Sequence, residues 1–199
     1  MTPAEFKKFV QLLDAFPEVG PRQSWRLFFW LIKQDEKFKS ELIELMTTLK
    51  TKVKFCSDCF FPTLNQDRCD ICNDQKRDHA LICLVERETD IITFESIKKF
   101  NGVYFILGGL ILPFEEKGIV RSRLKKIKER LEKSLDVKEV LIALPLTKEA
   151  EPTFVEVIRV LNQFKNRIKI TKLRRGLPAG AEVEFLDPET LTEAFLDRR

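Results

Sequence analysis

The chain has 199 residues, of which 44% are hydrophobic and 33% are charged, and its formal net charge is +4. These proportions are typical of a soluble protein with roughly two or three compact units. The sequence lacks the run of about 18 apolar residues that predicts a membrane span, and its polar first eight residues do not resemble a signal peptide. An odd total of five cysteines favours a reducing cytoplasm. The small positive charge permits nucleic-acid binding without requiring it.

Three helices are predicted in the first 50 residues. Apolar side chains recur with helical spacing over residues 3–15, 22–34 and 36–50. Proline and glycine interrupt the pattern at residues 16–21 and predict a tight turn. Pro21 suits the first turn of the second helix, where its missing N–H group is no loss. The apolar face of these helices is wider than a three-helix unit can bury by itself, which favours an interface between copies of the chain.

The turn between the first two helices resembles a helix-hairpin-helix DNA-binding element. In that element, glycines let the backbone approach a phosphate, to which the next helix presents its N-terminal N–H groups. Gly20 is present, whereas Glu18 stands in place of the first glycine. Arg22 and Arg26 lie four residues apart, so they share a helix face and could both reach a DNA backbone. The alternative is an ordinary helical hairpin with a solvated basic pair.

Four cysteines predict a metal centre. Cys56 and Cys59 form one C-x2-C pair, nine residues follow, and Cys69 and Cys72 form a second pair. Four thiolates arranged in this way suit tetrahedral Zn²⁺, with Zn–S distances of about 2.3 Å, and leave no position for a catalytic water. Two disulfides would need an oxidising compartment, and a redox C-x-x-C motif is usually single. We therefore expect one structural zinc ion per chain.

After the cysteines, short apolar runs alternate with helical patterns. This alternation predicts a parallel sheet with helices on both faces. The helix at 121–135 has an apolar stripe and an opposite face dense in lysine and arginine, which is either solvated or turned toward DNA or a partner. The predicted strands are 81–85, 103–107, 140–143 and 168–173, and the predicted helices are 90–100, 121–135, 153–164 and a short one from about residue 188.

Acidic residues follow two of the predicted strands. Glu86 ends the first strand, and Glu149 and Glu151 follow the third, at the carboxyl edge where α/β sheets carry their sites. Three acids at this edge could bind Mg²⁺, but the sequence lacks an accompanying Asp-x-Asp pair. A two-metal phosphoryl-transfer site is therefore poorly supported, and a structural or partner-binding role is favoured.

Two further residues with reactive side chains are not predicted to take part in chemistry. His79, the only histidine, is predicted to lie in a loop just before the first strand of the sheet. Cys83 is predicted to be a small core residue inside that strand.

The order of these features resembles the RecR family of bacterial recombination mediators over nearly the whole length. The motifs that carry the resemblance are Cys69-Asp70-Ile71-Cys72-Asn73-Asp74, Ile82-Cys83-Leu84-Val85-Glu86, Tyr104-Phe105-Ile106-Leu107-Gly108-Gly109 with Pro113, Glu149-Ala150-Glu151-Pro152-Thr153, and Arg175-Gly176-Leu177-Pro178-Ala179-Gly180 with Asp187, Thr190-Leu191 and Arg198-Arg199.

The resemblance implies an α+β protein of several modules. These are a helix-hairpin-helix domain over residues 1–54, a four-cysteine zinc module over 55–76, an α/β Toprim domain with a mainly parallel sheet over 77–172, and a C-terminal assembly segment over 173–199.

The implied function is a non-enzymatic DNA clamp and adaptor in recombinational repair. Family members form rings, often tetramers, and work with RecO and RecF to load RecA at gapped DNA. DNA contact is expected at Gly20, Arg22 and Arg26, and partner contact at Glu86, Glu149 and Glu151. The alternative is a Mg²⁺-dependent Toprim phosphotransferase or nuclease that uses Glu86.

The chain departs from the family pattern in the hairpin and at the edge of the Toprim domain. These departures leave the zinc site and the fold secure, but they bear on the DNA contact and on the partner. They are Glu18 for glycine, Phe105 for histidine, Pro145-Leu146 for Asn-Pro, Ala150 and Ala181 for glycines, and Arg174 for alanine.

Overall fold

The computed structural model describes residues 3–112, 117–173, 176–177 and 179–196. The motif residues Pro113, Arg174, Arg175, Pro178 and Arg198-Arg199 lie outside these ranges. The chain forms two compact units, Met1–Val53 and Lys54–Arg199. Within the described ranges, no helix combines the length and apolar character that crossing a membrane would require.

The first unit contains the three predicted helices, α1 (Ala4–Asp14), α2 (Pro21–Ile32) and α3 (Glu36–Lys52). Helices α1 and α2 pack around Val10 and Phe28, each only 4% exposed, and the Phe28 ring lies 4.9 Å from that of Phe6. The Asp35 carboxylate caps α3 by accepting the N–H of Phe38 at 2.7 Å, which satisfies one of the unpaired donors of the first turn.

Helix α3 buries none of its residues. Its apolar side chains remain exposed, including Ile43, Leu45, Met46 and Leu49, each more than half accessible. Contiguous exposed apolar surface of this kind is typical of an interaction site. The expectation that the first unit cannot bury its own apolar surface is therefore confirmed.

The second unit begins with the four-cysteine module, a short two-stranded sheet followed by one helical turn. Strand β1 (Val53–Phe55) pairs with β2 (Pro62–Leu64), and α4 (Asp70–Asn73) carries the last cysteine. The segment between the two cysteine pairs thus contributes a single short strand.

The rest of the second unit is built on a four-stranded parallel sheet. Its strands are β3 (Asp78–Val85), β4 (Gly102–Ile106), β5 (Glu139–Ala143) and β6 (Lys169–Lys172), in the order β4-β3-β5-β6. Leu84 in β3 pairs with Phe105 in β4 and with Ile142 in β5. The predicted parallel sheet is therefore confirmed.

Helices cover both faces of this sheet. The larger core packs α6 (Ile119–Lys133) and α7 (Glu151–Leu161) on one face, and a smaller core packs α5 (Glu88–Ser96) on the other. The segments Lys148–Ala150, Asn162–Phe164 and Val183–Phe185 are 3-10 turns, and α8 is Pro188–Leu196.

Three local predictions were wrong. His79 lies inside β3, because that strand begins at Asp78 rather than at residue 81. Helix α5 ends at Ser96, before residue 100, and Lys98 then takes a left-handed backbone with φ of 51°, which a helix cannot continue through. Leu135, the last residue of the helix predicted at 121–135, lies beyond α6 and is 75% exposed.

Candidate functional site

The four predicted ligand cysteines converge. The sulfur atoms of Cys56, Cys59, Cys69 and Cys72 all lie within 4.8 Å of one another, and each cysteine is at most 5% exposed. The Sγ atoms of Cys59 and Cys69 are 3.5 Å apart, close to the roughly 3.8 Å that tetrahedral Zn–S bonds of about 2.3 Å would require. All five cysteines are free thiols in the structure, and the convergence of four of them on one point favours a metal site over two disulfides. The cluster can hold a metal ion.

The chemistry of four crowded thiols also fits a cation. Hydrogen bonds with the neighbouring thiols, chiefly that of Cys59, lower the pKa of Cys56. The same hydrogen bond raises the pKa of Cys59. Any thiolate that forms here repels the next one, because the four sulfur atoms lie within 4.8 Å of one another. A divalent ion removes this conflict because it binds the deprotonated form.

Backbone geometry places the sulfur atoms. The N–H of Phe61 donates to Cys59 Sγ at 3.4 Å, and the N–H of Cys72 donates to Cys69 Sγ at 3.5 Å. At each C-x2-C pair, the backbone therefore turns so that a main-chain N–H group points at a cysteine sulfur. Donors of this kind orient and stabilise metal thiolates.

The first cysteine pair is fixed to the sheet by contacts that the sequence did not predict. The N–H of Ile106, on the edge strand β4, donates to the carbonyl of Cys59 at 3.1 Å. The ring of Phe60 meets that of Phe105 edge to face, with centroids 5.4 Å apart. These contacts cover the open edge of β4, which would otherwise leave backbone groups unpaired.

Two arginines of α6 add to these contacts between the cysteine module and β4, which we call the junction. Arg123 is 6% exposed, places its guanidinium over the Phe60 ring and donates to the carbonyl of Ile106 at 3.3 Å. Arg130 donates to the carbonyl of Asp58 at 2.9 Å. The basic face predicted for α6 is therefore not uniformly solvated, because Arg123 is buried and Arg130 is half-buried.

The predicted DNA-contact residues lie together at the start of α2. Gly20 is the N-cap with an extended backbone, and a Cβ built there would meet nothing within 4 Å. Arg22 and Arg26 are exposed one turn apart. The N-terminus of α2 is therefore accessible and carries a basic pair.

Glu18 has a left-handed backbone, with φ of 63°. Glycine adopts this conformation without strain, whereas a residue with a Cβ does so at a cost. This conformation agrees with the resemblance, in which a glycine occupies the corresponding place in the turn.

Comparison with known proteins covers nearly the whole chain. A family model described as Toprim domain matches residues 80–174, and one described as RecR, C-terminal, matches residues 176–199. The Recombination protein RecR of Paenarthrobacter aurescens is 36% identical over 193 residues, 97% of this chain and 95% of the relative. That of Finegoldia magna is 34% identical over 197 residues, 99% of this chain and 96% of the relative, and that of Brachyspira hyodysenteriae is 32% identical over 191 residues, 96% and 94% of the two chains.

The chain belongs to the RecR family.

Membership of the RecR family agrees with the resemblance drawn from the motifs and with the α/β fold of the second unit. Among the departures, Phe105 has a clear structural role, because it is 1% exposed and packs on Phe60. Ala150 is buried just before α7. Pro145, Leu146 and Ala181 are exposed, and nothing in the structure explains why they differ from the family pattern. Arg174 lies outside the described residues.

The three acids of the sheet edge have different surroundings. Glu86 is 5% exposed, and its carboxylate accepts the Nε–H of Arg87 at 2.8 Å. Glu149 and Glu151 are exposed. In the described part of the chain, the four cysteines are the group that could hold a metal ion, and these three acids do not form a second one.

The remaining predicted residues have structural roles. Cys83 is completely buried in β3, as predicted, and burial raises the pKa of its thiol to about 12. His79 Nε2 forms a hydrogen bond with the carbonyl of Asp74 at 3.0 Å.

A half-buried polar network beside β4 was not predicted from the sequence. Arg77, just after the cysteines, pairs with Glu95 of α5 and donates to the carbonyl of Gly102 at 3.2 Å. The hydroxyl of Tyr104 donates to Glu95 at 2.5 Å. Tyr104 and Glu95 belong to different elements with no shared motif, so sequence spacing could not pair them.

Proposed function

We propose that this RecR-family chain is a non-enzymatic DNA-binding clamp and adaptor in recombinational repair. It would act in the cytoplasm with RecO-like and RecF-like proteins and help to load RecA at gapped DNA. The observation that carries the proposal is the accessible start of α2, where Gly20 is open and Arg22 and Arg26 are exposed, in a chain similar to proteins named for recombination.

Binding to DNA would come from phosphate contacts. Lysine and arginine side chains that neutralise phosphates give an affinity that falls steeply with salt and depends little on sequence. The N-terminal N–H groups of α2 would add a favourable dipole for one phosphate. Glu18 places a carboxylate beside this site and would weaken the contact.

We assign structural Zn²⁺, one ion per chain, to the four cysteines. The support is the all-sulfur donor set, its complete burial and its spacing. A closed four-thiolate site leaves no coordination position for substrate. The ion would hold the first cysteine pair in the conformation that covers the edge of β4.

The clamp requires assembly of several copies. The exposed apolar side chains of α3 support an interface between copies in this unit, because such a stripe would otherwise face water. We propose a ring-forming dimer or tetramer, because soluble homo-oligomers usually have closed symmetry. Light scattering should report a mass that falls in Met46→Glu Leu49→Glu protein and stays unchanged in Thr47→Glu Thr51→Glu protein.

Partner contact is proposed at the carboxyl edge of the sheet. Glu149 and Glu151 offer exposed carboxylates there, whereas Glu86 would act indirectly by holding Arg87, whose side chain is 67% exposed. Pull-down with a RecO-like or RecF-like protein should weaken in Glu149→Lys Glu151→Lys protein and persist in Glu5→Lys Glu44→Lys protein.

One gel tests both the DNA binding and the lack of nuclease activity in this proposal. Zinc-loaded protein is mixed with circular gapped DNA and Mg²⁺ at low salt, and both retardation and nicking are recorded. We expect retarded, intact DNA, with retardation lost in Arg22→Ala Arg26→Ala protein and retained in Lys37→Ala Lys50→Ala protein, which removes the same charge from α3. Nicked DNA that becomes intact again with Glu86→Gln would overturn the proposal in favour of the Mg²⁺-dependent nuclease.

A further inference from the structure

A groove lies between the four-cysteine module and helix α6, within the second unit. Its volume is about 450 Å³, within the range of cavities that hold ligands. One wall is formed by Lys126, Arg130 and Lys133 of α6, and the opposite wall by Asp58 and Arg68 of the cysteine module. Cationic side chains therefore face the groove from both sides.

Direct hydrogen bonds hold the two walls together. Arg130 donates to the carbonyl of Asp58 at 2.9 Å from the α6 side. Arg68 donates to the Asp58 carboxylate at 2.7 Å and to the carbonyl of Cys72 at 2.6 Å. A guanidinium has five N–H donors, so both arginines keep further donors while their positions are fixed. The groove is therefore organised before any ligand binds.

The acids of the groove cancel only part of its positive charge, since three acids face four cations in the lining. Asp58 is paired with Arg68, and Glu129 with Lys126 at 3.0 Å. Within the described residues, Arg130 and Lys133 form no ion pair, and Asp136 is the one acid of the lining besides these two. Positive charge therefore exceeds negative charge on the groove walls, a condition that favours an anionic ligand.

The spacing of the α6 cations suits a chain of anions. Residues 126, 130 and 133 follow the i, i+4, i+7 pattern and so share one helix face. They span about 10 Å along the axis at about 1.5 Å per residue, so they present a row of cations to an extended anionic ligand rather than a single point of charge. The Phe105 ring below them is 1% exposed, so it offers no face on which a base could stack.

We propose that this groove binds the sugar-phosphate backbone of a DNA strand, as a second contact separate from the start of α2. The inference rests on the proposed DNA-binding function and adds a second DNA-contact surface to it. Because the contacts go to phosphates, the groove would add affinity and leave sequence preference unchanged.

The test compares two double variants of the same helix. Lys126→Ala Lys133→Ala removes two groove lysines, and Lys125→Ala Lys128→Ala removes two that do not line it. The pairs are matched, because Lys126 and Lys128 each pair with a glutamate and Lys125 and Lys133 form no ion pair with the described residues.

The full-length, zinc-loaded proteins are titrated with oligo-dT over a range of salt concentrations. The groove variant should flatten the slope of log K against log salt by about 1.4, since each lost phosphate contact on a single strand is worth about 0.7. The control variant should keep the wild-type slope. Equal slopes for the two variants would overturn the groove alone, whereas wild-type protein that binds no DNA at low salt would contradict the proposed function and the groove together.

Lysine acetylation followed by mass spectrometry measures directly which lysines the ligand protects. Oligo-dT should protect Lys126 and Lys133 and leave Lys125 and Lys128 reactive. Protection of the same two lysines by oligo-glutamate but not by oligo-dT would overturn the assignment and indicate an acidic protein segment as the ligand.

Discussion

The guanidinium of Arg123 lies over the ring of Phe60, with Cζ 4.5 Å from the ring centroid. Arg123 belongs to α6, and Phe60 directly follows Cys59. Gly108 lies against the same arginine, since a Cβ built there would be 2.5 Å from its Nη1 atom. One buried cation thus links the metal module, helix α6 and the end of β4.

Replacement of Arg123 should therefore loosen the junction. Arg123→Ala loses a desolvated cation–π contact and a charged hydrogen bond, so we expect the free energy of unfolding to fall by about 2 kcal/mol. Lys125→Ala on the exposed face of α6 should cost less than about 0.5 kcal/mol. Urea denaturation of zinc-loaded protein measures both, and equal losses would contradict the role of Arg123.

Loss of the metal should uncover β4. Cys59→Ser protein should bind no zinc by atomic absorption, and the Ile106 amide, which donates to the Cys59 carbonyl, should exchange its hydrogen faster. Cys83→Ala protein is the matched control, because Cys83 is equally buried but lies outside the cluster. It should keep one zinc and a slowly exchanging Ile106 amide. A protected Ile106 amide in zinc-free protein would disprove this coupling.

The turn before α2 should respond separately to conformation and to charge. Glu18→Gly relieves a left-handed backbone, so we expect a gain of about 1 kcal/mol in the free energy of unfolding. Glu18→Ala keeps the Cβ and removes only the charge, so it should raise DNA affinity without this gain in stability. Thermal or urea unfolding together with DNA titration distinguishes the two effects. Equal stability of the two variants would mean that the backbone at residue 18 is not strained.

The pair of Arg77 and Glu95 should make stability depend on pH. The hydrogen bond from Arg77 lowers the pKa of Glu95 below its ordinary value of 4.5. Because the folded pKa is the lower one, the carboxylate stabilises the fold above about pH 4.5, and this contribution is lost as pH falls through the folded pKa. We expect Glu95→Gln to cost about 1–2 kcal/mol at pH 7, with the gap to wild type narrowing below pH 4.5.

The double-mutant cycle with Arg77→Met is the control for this pH dependence. In Arg77→Met protein, Glu95→Gln should have little further effect at any pH, because the charged partner is already absent. All four proteins keep the metal cysteines, so acid-induced metal loss cancels in the comparison. A gap that stayed constant from pH 7 to pH 4 would contradict the lowered pKa of Glu95.

Features that depend on local spacing could be predicted from the sequence alone. The two C-x2-C pairs predicted the four-cysteine cluster. The 3.6-residue and apolar-run patterns predicted the three N-terminal helices and the parallel sheet, and the motif order predicted the family. Each of these follows from residues that are near one another in the chain, where backbone geometry fixes which side chains share a turn or a face.

The residues that join these elements could be identified only from the three-dimensional packing. Asp58 and Arg130 are 72 positions apart, and nothing in either neighbourhood marks them as partners. Nor does the sequence show that Arg123 is buried, since it belongs to a helix face rich in lysine and arginine. Glu86 is likewise buried, although it was predicted to lie at one edge with Glu149 and Glu151, which are exposed. Contacts of this kind depend on how helices and strands pack in three dimensions, and many sequences satisfy the same local patterns without making them.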